Sequence, residues 1–596
     1  MWKTNPYNYS RRPTSEVLIG TLKMGGSNPI RLQSMANTNT NDIENSITQC
    51  QRIVEAGADL VRLTTQGMKE VDSLRIIRDN VHNKGFNIPF VADVHFNAYV
   101  ANYAAQHLEK VRINPGNYVS SIKTTSPNKY TDEEYEEEFK KIESRFVEFL
   151  KICKIHNTAV RIGVNHGSLS ERMLLKWGNT ARGMVESCLE FLKICKAQDF
   201  SNLVISMKAS NTVQMIQAVR LLVERMEKED YHFPIHLGVT EAGDGEDGRI
   251  KSAVGIGGLL AEGIGDTIRV SLSEEPEAEI PVATLLRDYI TARSKNKKTI
   301  QLKSENPVTI KPFTRRSTFQ VKNFGGENLP QVIAKPCNHP TLKADYLLKN
   351  NSIINSKGKK HPIYLFDNLP KQNNQEILFL RTHYDELNSE LIALLKKNSN
   401  IVLLIDANAE NPVGEHRAFI HTLMAEKVKN PVVVVGKYNE NDLEALQIKA
   451  SADLGIIFVD GLADAIMIEN EGTISNEDIL STSFGILQGA RARISKTEFI
   501  SCPGCGRTHF NLQKVIARVK AKTSHLTGLK IGIMGCIVNG PGEMADADYG
   551  YVGGGRGTVM LYKKQECIKK GVPEEKAVDE LIELIKKYGD WKEPSF

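Results

Sequence analysis

The sequence predicts an α/β protein made of an N-terminal TIM (β/α)8 barrel, an inserted second α/β barrel-like domain and a C-terminal α+β domain. Between residues 30 and 271, eight short β-branched or apolar runs alternate with helical patterns, as an eightfold barrel requires. A further alternating series follows a polar linker, and the last segment carries a C-x-x-C motif. Since 596 residues suffice for two or three domains, we expect domains at residues 1–295, 296–483 and 484–596.

The first barrel has a clear strand and helix pattern. A typical helix, DIENSITQCQRIVEAGA, has apolar residues three and four apart and a stop signal at Gly57. In such barrels the active site is assembled where each strand passes into its following loop. The predicted strands lie in PIRLQSM, ADLVRLTT, PFVADVH, KVRINPG, AVRIGVN, LVISMKAS, PIHLGVTEAG and DTIRVSLS.

Polar side chains collect at the ends of these strands. Residues two apart share a strand face, so the pairs Arg62 and Thr64, Asp93 and His95, Arg112 and Asn114, and Arg269 and Ser271 each point to one side, which we expect to be the barrel mouth. Arg161, Asn165 and Lys208 complete a set with five cations from five strands. Gathering like charges is unfavourable without an anion, and guanidinium groups bind phosphate oxygens in pairs. A diphosphate site is predicted; the alternative is that single arginines are solvated or pair with loop carboxylates.

Glu241 is the carboxylate at this mouth with no assigned cationic partner. It lies in VTEAGDGEDG, directly after the seventh predicted strand. One interpretation is a catalytic role in proton transfer. The other is an ion pair with Arg62 or Lys208, and the strand pattern does not separate the two.

The middle region is predicted to be a scaffold. The polar stretch KNKKTIQLKSENPVTIKPFTRR is typical of a linker. After it, HPIYLFDN, EILFLRT, NIVLLIDAN, PVVVVGKY and ADLGIIFVDG are predicted strands of a second α/β domain. Its strand ends lack the arginines of the first barrel, and Asp367, Asn368, Asp406 and Asn408 are of the type that caps helices.

Bulk composition narrows the functional class. The net charge is +5 with no dense basic stripe, so a nucleic-acid partner is not expected and a small anionic ligand is. No apolar run reaches the length of a membrane helix, and the start MWKTNPYNYSRRPTSEV lacks a signal-peptide core, so no membrane partner and a cytoplasmic location are expected. Nine scattered cysteines, an odd number, argue against a disulfide framework.

Three cysteines in the last segment stand apart from the others. EFISCPGCGRT presents Cys502 and Cys505, and Cys536 ends the apolar run KIGIMGC. Zinc, an iron-sulfur cluster and a redox disulfide all use a C-x-x-C turn. A zinc site would need a fourth ligand, for which His509 or His525 is available.

The position of Glu543 favours the iron-sulfur cluster over the other two alternatives. The glycine-rich loop GCIVNGPGE brings it back seven residues after Cys536. Three soft thiolates and one hard carboxylate suit a 4Fe-4S cluster with one easily exchanged corner, at which substrate could bind. The alternative for Glu543 is a helix N-terminal carboxylate.

These motifs together resemble the 4-hydroxy-3-methylbut-2-enyl diphosphate synthase (IspG or GcpE) family of the non-mevalonate isoprenoid pathway. The resemblance is carried by QSMANT, VADVHF, RINPGN, RIGVNHGSL, VTEAG, EGIGDTIRVSLS, CPGCGRT and GCIVNGPGE, in regions that make up about two-thirds of the chain. The middle domain matches only the longer, three-domain members of the family.

The resemblance implies reductive ring opening and dehydration of 2-C-methyl-D-erythritol 2,4-cyclodiphosphate. Two electrons would pass singly through the 4Fe-4S cluster from reduced ferredoxin or flavodoxin. In the shorter members the cluster domain covers the barrel mouth of a second subunit, so a homodimer is compatible with it. Carried over, the cluster ligands would be Cys502, Cys505, Cys536 and Glu543, the proton-transfer residue Glu241, and the substrate-binding residues Arg62, His95, Arg112, Asn114, Arg161, Asn165, Lys208, Arg269 and Ser271.

Two other classes of function are weighed against this one. The first is a phosphosugar aldolase or isomerase with a structural zinc tail, which metal analysis would identify. The second is a non-enzymatic iron-sulfur sensor that docks a partner on the helix NLQKVIARVKAK. A charged run of that kind is more often a solvated helix face.

Overall fold

The computed structural model describes residues 5–118, 130–295, 299–306, 308, 313–370, 376–508, 510–538 and 540–594. It contains an eight-stranded, nearly closed parallel sheet, a closed second barrel and a five-stranded C-terminal sheet. The predicted fold class is confirmed. The predicted boundary after residue 483 falls within the helix Asn476–Gly489, and the domain limits stay a prediction.

The first barrel confirms all eight predicted strands. Neighbouring strands pair in parallel, and a bridge between Ile205 and Ile235 joins the ends of the sheet. The hairpin Val17–Ile19 and Leu22–Met24 closes the bottom with apolar side chains. The strands are Arg31–Met35, Leu60–Thr64, Phe90–Asp93, Lys110–Ile113, Ala159–Asn165, Leu203–Lys208, His236–Leu237 and Thr267–Ile268.

Helices surround this sheet. The first begins after Asp42, whose side chain accepts a hydrogen bond from the Asn45 backbone, and ends just before Gly57, which has a positive φ of 105° that suits glycine. The helices are Ile43–Glu55, Met68–Asn83, Ala98–Ala105, Asp132–His156, Glu171–Trp177, Ala181–Ala197, Thr212–Lys228, Gly245–Ser252, Gly258–Ala261 and Glu279–Thr291, with a π-helical turn at Ala253–Gly257.

The middle domain is a closed barrel of less regular topology. Its second, third and fourth strands pair antiparallel, while the others pair in parallel. The strands are Gln331–Ala334, Tyr346–Lys349, Ser352–Ile354, Lys360–Tyr364, Leu378–His383, Ile401–Asp406, Val432–Tyr438 and Ala465–Asn470, and the helices are Ser389–Lys397, Pro412–Ala425, Leu443–Val459 and Asn476–Gly489.

One predicted strand of this domain is wrong. ADLGIIFVDG lies mostly in the helix Leu443–Val459, in which every residue from Ala445 to Val459 except Lys449 is buried. The helix lies between the two barrels, so it is apolar all round and lacks the spacing that marks a surface helix. The eighth strand is instead Ala465–Asn470.

The two barrels pack through closely approaching helices. A Cβ at Gly258 would lie 2.9 Å from Ile456, and one at Gly455 would lie 2.6 Å from Val254. Beside this contact, Arg220 and Arg417 share the carboxylates of Glu262 and Asp460. The seam therefore combines tight packing with fully paired buried charges.

The C-terminal domain is a mixed sheet with helices. Its first three strands are parallel and the rest antiparallel. Among the described residues, every helix is too short or too polar to cross a lipid bilayer. The strands are Glu498–Ser501, Lys530–Met534, Tyr549–Gly555, Thr558–Lys563 and Glu566–Pro573, and the helices are Leu512–Thr523, Gly540–Glu543 and Glu574–Lys587.

Candidate active site

A cavity of about 100 Å³ lies at the carboxyl ends of the first barrel's strands, under the C-terminal domain. Because the strands are parallel, their last inward-facing residues meet at this end of the barrel. The structure brings together most of the residues predicted from the sequence. Those that line the cavity are Arg62, His95, Arg112, Arg161, Asn165, Lys208, Glu241, Arg269, Ser271, Cys502, Cys505 and Cys536.

Asp93 lies at the centre of one half of the cavity wall. Its Oδ1 is 2.8 Å from Nη2 of Arg62 and 2.9 Å from Nη1 of Arg112, and its Oδ2 is 3.6 Å from Nη1 of Arg507. Burial alone would raise the pKa of Asp93, but Arg62, His95 and Arg112 hold that pKa well below its usual value. Asp93 is therefore ionised and fixes Arg62 and Arg112 in place.

His95 is held neutral in the same group. Burial and the nearby Arg112 lower the pKa of His95 to about 3, although Asp93 acts in the opposite direction. A neutral imidazole can donate one hydrogen bond and accept another. His95 is therefore suited to orient a ligand oxygen without adding charge.

The remaining cations of the cavity differ in their pairing. Arg269 binds Glu279 with two hydrogen bonds, of 2.9 and 3.1 Å. Within the described part of the chain, Arg161 and Lys208 form no ion pair, and Nε and Nη1 of Arg161 are buried without a partner. Six cations, counting Arg507, thus face two paired carboxylates, Asp93 and Glu279, and the cavity carries excess positive charge.

The loops after two adjacent parallel strands bring the three cysteines to the wall of one cavity. Cys502 follows Glu498–Ser501, and Cys536 comes two residues after Lys530–Met534. The Cys502 thiol accepts a hydrogen bond from the Gly535 backbone at 3.2 Å, and Nη1 of Arg507 lies 4.0 Å from Sγ of Cys505. Such donors stabilise thiolate sulfur.

The C-terminal domain covers the barrel mouth of its own chain. A β-bridge joins Ala242 to Ser501, and the Ser273 hydroxyl donates to the Cys502 carbonyl at 3.1 Å. On the opposite side, a Cβ at Gly542 would lie only 1.7 Å from the carbonyl oxygen of Gly167, so only glycine allows this approach. The cysteines and the arginines therefore face one enclosed space.

Glu543 and Glu241 form a buried pair of carboxyl groups at the edge of this space. Glu543 accepts hydrogen bonds from Asn165 Nδ2 at 2.8 Å and from Thr240 Oγ1 at 3.1 Å. Burial and the neighbouring Glu543 raise the pKa of Glu241 well above its usual value, and burial also raises the pKa of Glu543. Two adjacent carboxyl groups cannot both ionise easily, so the pair holds at least one proton near neutral pH.

The second interpretation of Glu241 from the sequence was an ion pair with Arg62 or Lys208. In the described residues no ion pair joins it to Arg62 or Lys208, although Lys208 is close enough to oppose the rise in its pKa. Its backbone has a positive φ of 50°, a conformation that costs non-glycine residues about 1 kcal/mol or more. Strain of this kind is concentrated at functional sites.

Three of the sequence-based assignments lie away from the cavity wall. Asn114 is fully buried, and its side chain bonds Ser168 Oγ at 2.8 Å and the Gly116 backbone at 3.2 Å, so it holds a turn beside the mouth. Glu543 lies behind the wall, against Asn165 and Thr240. His525, an alternative zinc ligand, bonds the Lys592 carbonyl instead, and His509 lies outside the described residues.

The chemistry of the three thiols suits an iron-sulfur cluster. In the part of the chain that the structure describes, no three His, Cys, Asp or Glu side chains converge on one metal position. Ligands of one zinc ion would lie within about 3.8 Å of each other, given Zn–S bonds near 2.3 Å. Three thiols line the shared cavity and are of the ligand type that iron-sulfur clusters use, and Glu543 lies behind the same wall against Asn165.

Sequence reasoning missed several residues of this site. Asp93 was placed on the right strand face but given no role, although its two-residue spacing from His95 was a usable signal. Arg507 follows the C-x-x-C motif in a loop, where no strand period predicts its direction. The other unpredicted cavity residues include Met35, Ser206, Thr240 and Thr508.

Comparison with known proteins gives consistent matches over the whole chain. Residues 14–284 match the GcpE TIM-barrel domain model, and residues 498–587 match the GcpE protein C-terminal domain model. The 4-hydroxy-3-methylbut-2-en-1-yl diphosphate synthase (flavodoxin) of Bacteroides fragilis is 54% identical over 610 residues, which cover 98% of this chain and 97% of that relative. The protein of the same name from Leptospira interrogans is 38% identical and covers 100% of this chain and 99% of its own length.

The two domain models match the two regions whose residues line the cavity, the first barrel and the C-terminal domain. The match includes the middle barrel, since the relatives align with nearly the whole chain. The chain belongs to the GcpE family of 4-hydroxy-3-methylbut-2-en-1-yl diphosphate synthases.

Proposed function

We propose that the cavity binds 2-C-methyl-D-erythritol 2,4-cyclodiphosphate and that the enzyme converts it to 4-hydroxy-3-methylbut-2-enyl diphosphate by reductive ring opening and loss of water. The observation that carries this proposal is that the unpaired cations and the three cysteines line one cavity. The conversion consumes two electrons and two protons, breaks one ring C–O bond to phosphate and releases one water. It needs an anion site and a redox site in contact.

The first barrel supplies the anion site. Arg161 and Lys208 have no ion pair with a described residue, so a bound diphosphate would be the counter-charge that they lack. Arg62, Arg112 and Arg269 are already oriented by Asp93 and Glu279. Asn165, Ser271 and neutral His95 add hydrogen-bonding groups. Asn114 supports the wall through the turn that it holds.

The C-terminal domain supplies the redox site. We assign Cys502, Cys505, Cys536 and Glu543 as the ligands of a 4Fe-4S cluster, which when bound delivers electrons one at a time to the substrate. Glu543 is the exchangeable member of the set, since Asn165 and Thr240 offer hydrogen bonds to its carboxylate off the metal. Release of Glu543 from the cluster would leave a position for a substrate oxygen.

Glu241 is proposed as the proton donor. Its carboxyl group is buried beside Glu543, which favours its protonated form near neutral pH. Transfer of this proton to the leaving hydroxyl would let water depart rather than hydroxide. The strained backbone at Glu241 holds the carboxyl group in this position.

The partners follow from the relatives and from the arrangement of the site. The relatives' name specifies flavodoxin, so we propose reduced flavodoxin as the electron donor, with ferredoxin as the other candidate. The C-terminal domain contacts the barrel mouth of its own chain, which supports a site that needs no second copy for its completion. We propose a cytoplasmic enzyme whose middle barrel is a scaffold.

The test compares two variants after anaerobic purification. Wild type should convert the cyclic diphosphate with a chemical reductant, and both Cys536→Ser and Glu241→Gln should lose turnover by at least about 100-fold. Only Cys536→Ser should lose iron, because Glu241 is not a ligand. A Cys536→Ser enzyme with full iron content and normal turnover would refute the ligand assignment, and stoichiometric zinc in place of iron would refute the proposed reaction.

A further inference from the structure

Beneath the cationic mouth, the first barrel contains a second buried layer of polar side chains. This layer consists of Lys110, His236 and Gln33. Each comes two residues before a residue near the mouth, and side chains two apart on a strand face the same side. The three side chains therefore face the barrel interior, one layer below the mouth. Barrel interiors at this level are usually filled by branched apolar residues. The layer therefore needs an explanation other than packing.

Four polar atoms of this layer lack partners in the described structure. Lys110 Nζ, His236 Nε2 and both amide atoms of Gln33 are buried without a hydrogen bond. The other ring nitrogen of His236 lies 3.3 Å from Thr267 Oγ1. Below the layer, the apolar cluster that contains Leu60 closes the barrel. The protonation of Lys110 and His236 therefore depends on the charges at the mouth above them.

The charges that face this layer all have the same sign. Arg62 and Arg161 act on Lys110, and Lys208 acts together with them on His236. The carboxylate on the strand next to Lys110, Asp93, is already shared by Arg62, Arg112 and Arg507. With no anion at the mouth, a further positive charge in the layer is strongly disfavoured.

We propose that Lys110 and His236 form a protonation layer that takes up a proton from solvent when a diphosphate binds at the mouth. This inference rests on the proposed function, because the diphosphate supplies the negative charge. Burial and the neighbouring cations lower the pKa of both groups well below their usual values in the free protein, and they lower the pKa of Lys208 at the mouth in the same way. Lys208 therefore contributes to the same uptake. An anion with two negative charges above the layer offsets those cations and raises both pKa values.

The sign of the pH dependence follows from linkage. Because the bound state holds more protons than the free state, binding of the diphosphate weakens as pH rises. Over the interval between the free and bound pKa values, uptake of one proton raises the Kd by about tenfold per pH unit. The cyclic diphosphate has one strongly acidic oxygen on each phosphorus, so its own charge is constant near neutral pH and does not produce this effect.

The test is calorimetric titration of the cluster-loaded enzyme with the cyclic diphosphate, without reductant, in buffers of different ionisation enthalpy. Wild type should take up roughly one proton for each ligand bound. The double variant Lys110→Met with His236→Gln should take up markedly fewer protons than wild type, the remainder belonging to Lys208, and its Kd should vary less with pH. Each single variant is also measured, so that a folding defect in the double variant does not remove the test.

His416→Gln is the matched control, since His416 is a buried histidine in the second barrel, away from this mouth. It should keep wild-type proton uptake. Proton uptake unchanged in the double variant would overturn the inference and leave the proposed function intact. Absence of any binding of the cyclic diphosphate to wild type would overturn the proposed function and the inference with it.

Discussion

Both barrels of this chain carry arginines on their strands near the barrel mouth. The two sets differ in whether carboxylates of the protein pair with them. In the second barrel, Nε and Nη2 of Arg381 each lie 2.9 Å from an oxygen of Asp406, and the same guanidinium pairs with Glu469. Lys437 also pairs with Asp406, at 3.1 Å. In the first barrel, Arg161 and Lys208 have no such carboxylate among the described residues.

This difference shows that cavity size does not mark the active site here. The pocket at the second mouth, lined in part by Arg381 and Glu469, holds about 400 Å³ against about 100 Å³ at the first mouth. In the second pocket the half-buried Arg381 is paired with carboxylates, whereas Lys335 and Lys349 are exposed to solvent. This pocket lies over an interior of apolar residues such as Phe379, Leu404 and Met467. The first is unbalanced and covered by the C-terminal domain. Uncompensated charge in an enclosed space is the functional signal.

The largest expected effect comes from removing the central carboxylate of each mouth. Asp93→Asn should lower the free energy of unfolding by about 3–5 kcal/mol, because it leaves the buried guanidinium groups of Arg62 and Arg112 without a counter-charge. Asp406→Asn should cost only about 1 kcal/mol, since Lys437 and Arg381 are partly exposed to water. Denaturant unfolding measures both changes.

Added sulfate provides a control for this prediction. A dianion at the first mouth can replace the missing carboxylate, so sulfate should stabilise Asp93→Asn more than wild type. It should leave the difference between Asp406→Asn and wild type unchanged. Equal losses of stability in the two variants would contradict the contrast between the mouths.

The next effect concerns affinity. Arg161→Met should raise the Kd for the cyclic diphosphate roughly 100-fold, the loss expected when a charge-assisted bond to phosphate worth about 3 kcal/mol is removed. Arg381→Met, which makes the same change at the second mouth, should leave this Kd unchanged. Calorimetric titration of both variants measures the effect. A similar weakening in both would mean that the second mouth also takes part in binding.

The first barrel was predictable because its strands carry a regular signal. Strand runs such as KVRINPG and AVRIGVN combine β-branched residues with polar residues at two-residue spacing, and both strand position and facing direction follow from that pattern. Cys502 and Cys536 were predictable because few chemistries use such residues in a strand-end loop. Asn114 lies outside the cavity wall, and the sequence could not show this because a strand-end asparagine that holds a turn has the same spacing as one that faces the mouth.

Long-range features could not be read from local pattern. The helix Leu443–Val459 was taken for a strand because burial between two barrels removes its periodicity. Pairing of Arg381 with Glu469 joins residues 88 apart in sequence, and the contact of Asn165 with Glu543 spans 378 residues. Whether a buried arginine has a carboxylate partner depends on such contacts. The sequence therefore predicted the strand positions of the arginines but not which of them lack a carboxylate partner.

The smallest expected effect is on the acid dependence of stability, and it tests the contrast between paired and unpaired buried charges. At the seam between the barrels, burial would raise the pKa of Asp460, but Arg220 and Arg417 lower it to about 2. A depressed carboxyl pKa stabilises the fold above the unfolded value, and this stability is lost as pH falls through the folded value. Wild type should therefore lose roughly 1 kcal/mol of unfolding free energy from this group between pH 5 and 3, and roughly 2 kcal/mol by pH 2.

Asp460→Asn should remove this part of the acid dependence, which urea unfolding at pH 5, 4 and 3 measures. Asp288→Asn, at an exposed aspartate paired with Arg287, serves as the control and should keep the wild-type slope. If Asp460→Asn has the wild-type slope, the seam does not derive its stability from ionised Asp460. If the slope is lost, ion pairs within the protein stabilise the seam. The cations at the mouth, in contrast, are available to pair with a ligand.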